Sequence, residues 1–520
     1  MNEYETKHVD LDKLVFSESK PRLRAYLGHV VKGNDVDYRT PLFDGKPRDE
    51  VMEQWSKILE PKLAGMEGLL KFENDLRAKV GPLSIMKPLS ERQDDIKDYY
   101  TAIHQPSKPV SEDAKAALLK QWRGCIGGIR KSNRLTTWSN MKKSTSAGLP
   151  IFQTRSKYPG LITQSAVDTI TTDYKGHGVY FNCAMLGWRG QEGGPEDDDV
   201  KQRVIWMFPA ALNNVELGFY QPLIKACQRF NLVPAWNGNS YVDEEITRMF
   251  DTKGKDDVVI CTDFSKFDHH FNADMQNCAY DVLKALGADD EWLRLFGVKF
   301  RIPLFDGEKV WFGDHGMASG SGGTNPDETL SHACLQHEAA ITAKATLNPH
   351  SQRLGDDGLL TYPGICLDHI MHTYTSHGQE MNESKQEVSK LEATYLRRWY
   401  STEYRLEGIM HGVYSSYRAL GKLMGQERFY DPKLWGPEMV VLRSLSIIQN
   451  LEWHPAREEF LEFCVQGDKY RLGLDIPGFM DNIDRIYESN DLAQTFGSYT
   501  IGKKTGISQW WVVRALRGLG

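Results

Sequence analysis

The stretch Val258-Val-Ile-Cys-Thr-Asp-Phe-Ser-Lys-Phe-Asp268 joins a short apolar run to two aspartates, and it decides the fold. Residues 258–262 have the length and composition of a buried strand, which places Asp263 directly at the strand end. Further along the chain, Gly355-Asp-Asp357 occupies a tight turn between two predicted strands. The sequence therefore predicts a sheet that carries carboxylates at the ends of its strands.

Helical patterns surround these strands. Asn272 should cap a helix that ends at Gly287. One face of that helix is apolar and consists of Met275, Cys278, Val282 and Leu286. A second helix should begin at Asn325, with Asn as the N-cap and Pro326 at the first helical position. Because the C-terminal region also looks mainly helical, we expect an α+β fold.

Composition narrows the class of protein. The 520 residues are 40% hydrophobic and 26% charged, which is typical of about three globular domains or one multi-lobed enzyme. No apolar run approaches the roughly 18 residues of a membrane span, and the N-terminus lacks the apolar core of a secretory signal. The eight cysteines lie at least 17 positions apart, which excludes CxxC motifs. We expect a soluble intracellular protein with reduced thiols and no membrane partner.

Charge is unevenly distributed along the chain. Residues 114–167 contain ten Lys or Arg and no Asp or Glu, so the net charge of −7 leaves −17 on the remainder. Arg130, Lys131, Lys142 and Lys143 belong to this basic stretch, and aromatic residues lie among them. Cations that screen phosphates, beside rings that stack on bases, are typical of a channel for a single nucleic-acid strand. A solvated face balanced by acidic neighbours is the alternative.

The separated aspartates match the needs of nucleotide transfer. Joining nucleotides uses two Mg²⁺ ions about 3.5–4 Å apart, and Mg²⁺ favours carboxylates with room left for phosphate oxygens. Asp263 and Asp356 are the predicted ligands, with Asp357 supporting the site. Surface acids and an ordinary Asp-Asp-Gly turn are the alternatives. Between the two motifs, the glycine-rich loop 316–325 can present N–H groups to a phosphate, or can be a simple linker.

Together these motifs resemble those of the viral RNA-dependent RNA polymerases, most closely the picobirnavirus enzymes, with partitivirus and picornavirus enzymes as more distant relatives. The resemblance covers seven motifs in the expected order over about residues 144–399. They are Ser144–Pro150, Lys201–Ile205, Asp263 with Asp268, Ser319-Gly320 with Thr324-Asn325, Gly355–Asp357, Lys385 and Tyr395–Arg398. Any one of them is weak evidence, whereas seven in order are strong evidence.

The resemblance implies how the incoming NTP is bound. Lys201 and Arg203 would screen the triphosphate, and Asp268 would accept a hydrogen bond from the ribose 2′-hydroxyl. Lys385 would protonate the leaving pyrophosphate as a catalytic general acid; an exposed, purely structural lysine is the alternative. The remaining nucleotide-binding candidates are Ser319, Gly320, Thr324 and Asn325.

Two departures from the family pattern fall near this site. Picornavirus-like enzymes carry an Asn four residues after the motif Thr, where this chain has Glu328, so Asn325 is the substitute candidate for sensing the ribose. The segment His350–Arg353, before the Gly-Asp-Asp turn, is more polar than the apolar strand usually found there. Both departures leave the aspartates themselves in place.

The resemblance also implies contacts with RNA. Thr145, Ser146 and Gly148 lie in the fingers motif that meets the template. Arg397 and Arg398 lie in the hairpin that grips the growing strand.

Near the C-terminus, Trp510 and Trp511 are candidates to stack under the first nucleotide when synthesis starts without a primer. Related polymerases often use a thumb or C-terminal element for this purpose. The alternative, which we favour, is that the two rings anchor the last helix onto the thumb as large apolar groups.

The implied architecture is a right hand of fingers, palm and thumb, with an antiparallel palm sheet and helical fingers and thumb. The expected boundaries are 1–211 and 290–314 for the fingers, 212–289 and 315–408 for the palm, and 409–520 for the thumb and C-terminal tail. The expected cofactor is a pair of Mg²⁺ ions, which Mn²⁺ can replace. Template and product RNA, NTPs and a viral capsid protein are the expected partners.

The implied role is replication and transcription of a two-segment double-stranded RNA genome in the host cytoplasm, by an enzyme packaged in the virion. One alternative is a reverse transcriptase, but those enzymes usually have a bulky aromatic residue in place of Asp268 and an aromatic-x-Asp-Asp motif in place of Gly355–Asp357. The other is a non-enzymatic RNA-binding virion protein. The basic stretch would suit it, but it has no need of separated aspartates.

Overall fold

The structure, a computed structural model, describes residues 3–164, 183–431, 433, 435–489 and 506–519. The strands are β1 (Glu5–Lys7), β2 (Ala184–Gln191), β3 (Lys201–Met207), β4 (Val259–Thr262), β5 (Leu304–Phe305), β6 (Val310–Phe312), β7 (Gln352–Leu354), β8 (Asp357–Leu360), β9 (Glu387–Ser389), β10 (Glu392–Tyr395), β11 (Arg398–Ser401) and β12 (Val413–Tyr414). They form three sheets, of order β1-β6-β5-β2-β3, β7-β8-β4-β9 and β10-β11-β12.

Helices surround the sheets. Those before β4 are α1 (Lys20–Lys32), α2 (Arg48–Lys62), α3 (Glu67–Arg77), α4 (Gln93–Thr101), α5 (Glu112–Gln121), α6 (Arg134–Asn140), α7 (Pro159–Gln164), α8 (Ala210–Arg229) and α9 (Asn239–Thr252). Those after it are α10 (Ala273–Leu286), α11 (Asp290–Phe296), α12 (Thr324–Thr342), α13 (Leu367–Ser376), α14 (Ser416–Met424), α15 (Pro437–Ile448), α16 (Arg457–Gly467), α17 (Ile483–Glu488) and α18 (Trp511–Leu519). Within the described ranges, none is both long and apolar enough to span a bilayer.

The sheet β7-β8-β4-β9 is antiparallel throughout, and it contains both predicted acidic motifs. Thr262 of β4 pairs with Gly358 of β8. Asp263, which follows Thr262, therefore lies beside Asp357, which precedes Gly358. Leu354 pairs with Asp357, which leaves a two-residue turn between β7 and β8. Gly355 takes the first turn position with φ +60°, a conformation that glycine adopts without strain. The predicted strand at 258–262 and the strand-turn-strand pattern are confirmed.

Strand β7 forms despite its polar sequence. Gln352 and Arg353 are both buried. Gln336 Nε2 donates to the Gln352 carbonyl at 3.0 Å, and Arg353 Nη1 donates to the Ser351 carbonyl at 3.1 Å. Gln352 Nε2 also donates to the Val242 carbonyl at 3.3 Å, so both side chains have acceptors for N–H groups and the strand can pack.

Two helices with predicted starts pack against this sheet. Asn272 Oδ1 accepts from Met275 N at 3.0 Å and caps α10, which ends at the left-handed Gly287, as predicted. The predicted N-cap of α12 is wrong, because the helix begins one residue earlier, at Thr324, after Gly323. Asn325 Oδ1 instead accepts from Trp236 Nε1 at 2.9 Å, so a tertiary contact uses the group that would have capped the helix. The eight cysteines are free thiols.

The N-terminal and C-terminal regions share one hydrophobic core. Buried side chains between residues 42 and 80, such as Trp55, pack with buried side chains between residues 399 and 516, such as Leu445. The segment 42–80, which the predicted boundary of 1–211 assigns to the fingers, therefore packs with the region that the prediction assigns to the thumb.

A buried carboxylate joins these two regions. Glu73 of α3 and His454 are both fully buried. The Glu73 carboxylate accepts from His454 Nε2 at 2.7 Å, from Ser415 Oγ at 2.6 Å and from Ser416 N at 2.9 Å, so it also caps α14. Burial alone would raise the pKa of Glu73, but these hydrogen bonds and His454 outweigh it, and the pKa lies below its ordinary value.

We expect Glu73→Gln to lower the free energy of unfolding by about 3–5 kcal/mol, because it removes one partner of a buried charged network. The depressed pKa means that the contribution of Glu73 is present above about pH 4.5 and is lost as the pH falls through the folded-state pKa. Urea unfolding at pH 7 and pH 4 should therefore show a smaller acid dependence in the variant. Glu67→Gln, an exposed position on the same helix, is the matched control. Equal stability of the two variants would contradict this account.

Candidate active site

The sheet edge after β4 brings together the three predicted metal ligands. Asp263 follows β4, Asp356 lies in the β7–β8 turn, and Asp357 begins β8. Gln386 fixes the backbone of Asp263, because its Nε2 donates to the Asp263 carbonyl at 2.7 Å and its Oε1 accepts from Asp263 N at 3.1 Å. Sequence reasoning missed Gln386, although it is the neighbour of the predicted Lys385.

The three carboxylates repel one another. Burial raises the pKa of Asp263, and Asp356 raises it further, whereas Lys385 and Lys201 oppose the rise. Burial and the charge of Asp356 raise the pKa of Asp357 to about 7. A cation relieves such repulsion, and carboxylate oxygens are the donors that Mg²⁺ prefers. The donor types therefore suit the expected metal ions, although among the described residues no group of three or more His, Cys, Asp or Glu side chains is already arranged to hold one.

Helix α12 holds the turn that carries Asp356. Thr329 Oγ1 accepts from Gly355 N at 2.9 Å, and His332 Nδ1 donates to the Gly355 carbonyl at 2.9 Å. Burial lowers the pKa of His332 to about 4, so the ring is neutral at pH 7. Both residues were missed, and their spacing of three along one helix face becomes a signal only when the turn is known to lie against that face.

Glu328, which is buried on α12, and Asp268, which is half-buried, influence each other's charge beside this turn. Burial and the charge of Asp268 raise the pKa of Glu328 well above its ordinary value. Burial also raises the pKa of Asp268, which Asp356 increases and Arg203 opposes. The residue that departs from the family pattern thus lies close enough to the predicted ribose-sensing aspartate for their charges to interact.

Strand β3 carries the two predicted cations, Lys201 and Arg203, close to these aspartates. The charge of Arg203 acts on Asp268 and on Asp357. Burial lowers the pKa of Lys201, and the nearby charges of Lys385 and Lys79 lower it further. Lys79 was not predicted, since it precedes all the motifs in sequence.

The loop before α12 packs on β3. Trp206 N donates to the Ser319 carbonyl at 3.2 Å. Gly320 has φ +155°, and a Cβ there would lie 1.7 Å from the Trp206 carbonyl oxygen, so no other residue fits. Thr324 Oγ1 donates to the Ala318 carbonyl at 3.4 Å. The predicted nucleotide-binding loop is therefore adjacent to the predicted triphosphate-binding strand.

The chain is similar to known viral RNA polymerases in both sequence and structure. A family model described as viral RNA-dependent RNA polymerase matches residues 83–413. A potential RNA-dependent RNA polymerase of human picobirnavirus is 48% identical, over 96% of this chain and 97% of the relative. The crystal structure of the RNA-dependent RNA polymerase of a human picobirnavirus superposes with a TM-score of 0.89 at 46% identity, covering 99% of this chain and all of that one. Its insertion loop deletion mutant gives 0.88 at 45% identity with the same coverage.

This chain belongs to the viral RNA-dependent RNA polymerases. The predicted α+β fold, the fingers-palm-thumb architecture and the RNA-directed nucleotidyltransferase activity are confirmed. The reverse transcriptase and the non-enzymatic virion protein are excluded as alternatives. The antiparallel sheet with the acidic turn lies within the residue ranges predicted as palm.

The four predicted RNA-binding cations of the basic stretch differ in whether other groups of the protein already bind them. Lys131 Nζ forms ion pairs with Asp289 at 2.9 Å and Glu291 at 2.8 Å. Lys143 Nζ donates to main-chain carbonyls at the end of α6, including that of Ser139 at 2.9 Å. Arg130 and Lys142 are exposed. Two of the four cations are therefore already bound by the protein.

The predicted template motif lies at the start of α8. Ser146 Oγ accepts from Gly148 N at 3.2 Å, and the carbonyl of Ala147 accepts from Ala210 N at 2.8 Å. Gly148 has φ +63°, and a Cβ there would lie 2.3 Å from the Phe208 carbonyl oxygen. Thr145 and its neighbours are thereby fixed against the helix that follows β3.

The predicted strand-gripping hairpin presents only one of its two arginines. Arg397 is exposed in the β10–β11 turn, and its charge acts on Asp357. Arg398 is buried, and its guanidinium donates to the carbonyl and the side-chain oxygen of Asn450 at 3.0 and 3.1 Å. Its observed partners are protein groups.

Both C-terminal tryptophans lie in the core. Trp510 and Trp511 are 4% and 5% exposed, and Trp511 Nε1 donates to the Gln449 carbonyl at 3.1 Å. Burial to this extent favours their interpretation as anchors of α18.

The contact between Thr329 and Gly355 can be tested with Thr329→Val, which preserves shape and removes the acceptor. A buried N–H left unpaired costs about 1–3 kcal/mol. Because displacement of a catalytic group by about 1 Å can cost 10²-fold, we expect RNA synthesis to fall by about tenfold or more. Steady-state nucleotide incorporation and thermal melting measure the two effects.

Thr342→Val, near the far end of the same helix, is the control and should retain its activity. Full synthesis by a Thr329→Val enzyme with a lowered melting temperature would show that this bond stabilises the protein without positioning the turn.

Proposed function

We propose that the polymerase replicates and transcribes a double-stranded RNA virus genome by two-metal transfer of a nucleotidyl group from NTPs to an RNA 3′ end. The observation that carries the proposal is the convergence of Asp263, Asp356 and Asp357 with Lys201 and Arg203 at one edge of the palm sheet. Family membership supports the reaction, and the repelling carboxylates support the metal chemistry.

Asp263 and Asp356 would hold two Mg²⁺ ions, with Asp357 supporting the site and with Mn²⁺ as a substitute. Bound ions supply activation of the RNA 3′-hydroxyl and neutralisation of the leaving pyrophosphate. The raised pKa of Asp357, near 7 because of burial and Asp356, supports this assignment, since a neighbouring cation would return the carboxyl to its charged form.

The other side chains act directly on the nucleotide. The 3′ oxygen attacks the α-phosphorus, and the bond to pyrophosphate breaks. Lys201 and Arg203 screen the triphosphate as charge develops on it. Lys385 gives a proton to the leaving pyrophosphate, and Asp268 accepts a hydrogen bond from the ribose 2′-hydroxyl. The loop with Ser319, Gly320, Thr324 and Asn325 surrounds the nucleotide.

The template would pass along the basic stretch and Thr145, Ser146 and Gly148, and the product strand would contact Arg397. We retain fingers at 1–211 and 290–314, palm at 212–289 and 315–408, and thumb at 409–520, with the segment 42–80 bridging to the thumb core. A capsid protein is the further partner, and the packaged enzyme would act in the host cytoplasm.

The metal assignment predicts that Asp356→Asn reduces RNA synthesis to background, because a neutral amide cannot replace a hard anionic ligand. RNA binding and the melting temperature without metal should stay near normal. A ligand that binds the folded state raises its stability, so Mg²⁺ should raise the melting temperature of the wild type more than that of the variant.

Asp368→Asn, an exposed acid on α13, is the control and should behave like the wild type in all three measurements. Appreciable Mg²⁺-dependent turnover by folded Asp356→Asn protein would overturn the assignment.

The basic stretch predicts a graded effect on RNA affinity. Arg130→Gln and Lys142→Gln should each weaken binding of single-stranded RNA and reduce the slope of log K against log salt by about 0.7. Lys131→Gln should leave the slope unchanged, because Asp289 and Glu291 already pair with that lysine. Fluorescence anisotropy over a salt series measures all three. Equal slopes in every variant would make the stretch a solvated face.

A further inference from the structure

The template motif and the nucleotide-binding loop pack on the same short segment of the chain, the end of β3 and the residues that lead into α8. A Cβ on Gly148 of the motif would lie 2.3 Å from the Phe208 carbonyl oxygen. A Cβ on Gly320 of the loop would lie 1.7 Å from the Trp206 carbonyl oxygen. The motif and the loop therefore contact the backbone at positions only two residues apart.

Asn213, in the first turn of α8, connects the motif to the loop through its side chain. It is 4% exposed, and both ends of its amide are hydrogen-bonded. Its Oδ1 accepts from Arg155 Nη2 at 3.1 Å, and Arg155 Nε donates to the Ser146 carbonyl of the motif at 3.2 Å. Its Nδ2 donates to the Gly320 carbonyl of the loop at 3.1 Å. One buried side chain thus joins two elements that are far apart in the sequence.

Glu216, one turn further along the same face of α8, holds the next two residues of the loop. It is 5% exposed, and its carboxylate accepts from Ser321 Oγ at 2.7 Å and from Gly322 N at 2.8 Å. It also accepts from Asn213 Nδ2 at 3.3 Å. The glutamate therefore fixes both the loop and the orientation of the amide beside it.

We propose that Asn213 is a positioning residue for RNA synthesis, which holds the nucleotide-binding loop in register with the template motif, and that Glu216 supports it. The base of the incoming NTP has to pair with a template base, so the elements that bind them must be held at a fixed separation. A displacement of about 1 Å in such a site can cost about 10²-fold in rate. The inference rests on the proposed roles of the motif and the loop.

The contacts of Arg155 favour this role over direct binding of RNA. Arg155 belongs to the basic stretch, but its side chain is only partly exposed. Its guanidinium already donates to the Ser146 carbonyl and to the Asn213 oxygen. This arginine therefore acts on the template through the motif that it supports.

The test measures kcat/KM for incorporation of the matching NTP on an RNA template. Asn213→Leu keeps the size of the side chain and removes both of its links, so we expect kcat/KM to fall by about 10–100-fold. Asn214→Leu is the matched control, because Asn214 is 1% exposed and its Nδ2 donates to the Arg134 carbonyl at 3.1 Å, outside the motif and the loop. It should lower the melting temperature to a similar extent and keep kcat/KM near that of the wild type. Equal losses of kcat/KM in the two variants would overturn the inference.

A second measurement distinguishes positioning from general destabilisation. Because Arg155 reaches the loop through Asn213, Arg155→Met should lower kcat/KM by about tenfold in the wild type and much less in Asn213→Leu. The same fold loss in both backgrounds would overturn the link. If Asn213→Leu does not fold, Arg155→Met and Glu216→Met decide the question, since only Asn213 joins these two positions. Their combined loss should be smaller than the product of the single losses, and a loss equal to that product would overturn the inference.

Ser319→Ala separates this inference from the proposed function, because Ser319 is a candidate nucleotide contact of the loop. Wild-type kcat/KM in folded Asn213→Leu, together with a loss in Ser319→Ala, would overturn the role of Asn213 and leave that of the loop intact. Wild-type kcat/KM in both variants would overturn the proposed role of the loop itself.

Discussion

The concentration of negative charge at one sheet edge is the constraint on which the rest of the structure depends. Asp263, Asp356 and Asp357 converge there, and burial together with mutual repulsion raises the pKa values of Asp263 and Asp357. Like charges brought together from separate strands push the strands apart unless the backbone is held by other means. Two side chains hold the backbone: Gln386 bonds to both the N–H and the carbonyl of Asp263, and Thr329 Oγ1 accepts from Gly355 N. The positions of the three aspartates are therefore held by these hydrogen bonds to the backbone, and not by contacts of the carboxylates themselves.

Helix α12 connects these constraints. It is buried on almost every side, yet much of its length is polar. Two of these polar groups have specific partners in the sheet: His332 Nδ1 donates to the Gly355 carbonyl, and Gln336 Nε2 donates to the Gln352 carbonyl of the polar strand β7. A buried helix with polar side chains is sensitive to the loss of any hydrogen-bond partner, because a polar group left unpaired in the interior costs free energy. Such a helix tolerates little movement, which suits a scaffold for catalytic geometry.

The parts of the fold that the sequence predicts are those with local signals. The apolar run of β4, the cap at Asn272 and the turn at Gly355 all depend on neighbours within a few positions. Gln386 and Thr329 escaped prediction because their partners are remote in the chain. The availability of the basic residues could not be predicted for the same reason, because counting charges along the chain does not reveal that Lys131 is paired with Asp289. Family motifs located the acids and cations of the site, and only the structure revealed which side chains hold them in place.

Contacts between residues far apart in the chain also hold the N-terminal and C-terminal regions together. Helix α14 begins where Glu73 caps it, so α3 from the N-terminal region is bonded to the C-terminal region. Arg418 on that helix forms an ion pair with Glu192, which follows β2 in the sheet that also contains β3. One short helix thus contacts the N-terminal segment on one side and the sheet that contains β3 on the other. Because both contacts are largely buried, these regions cannot separate without exposing charged groups.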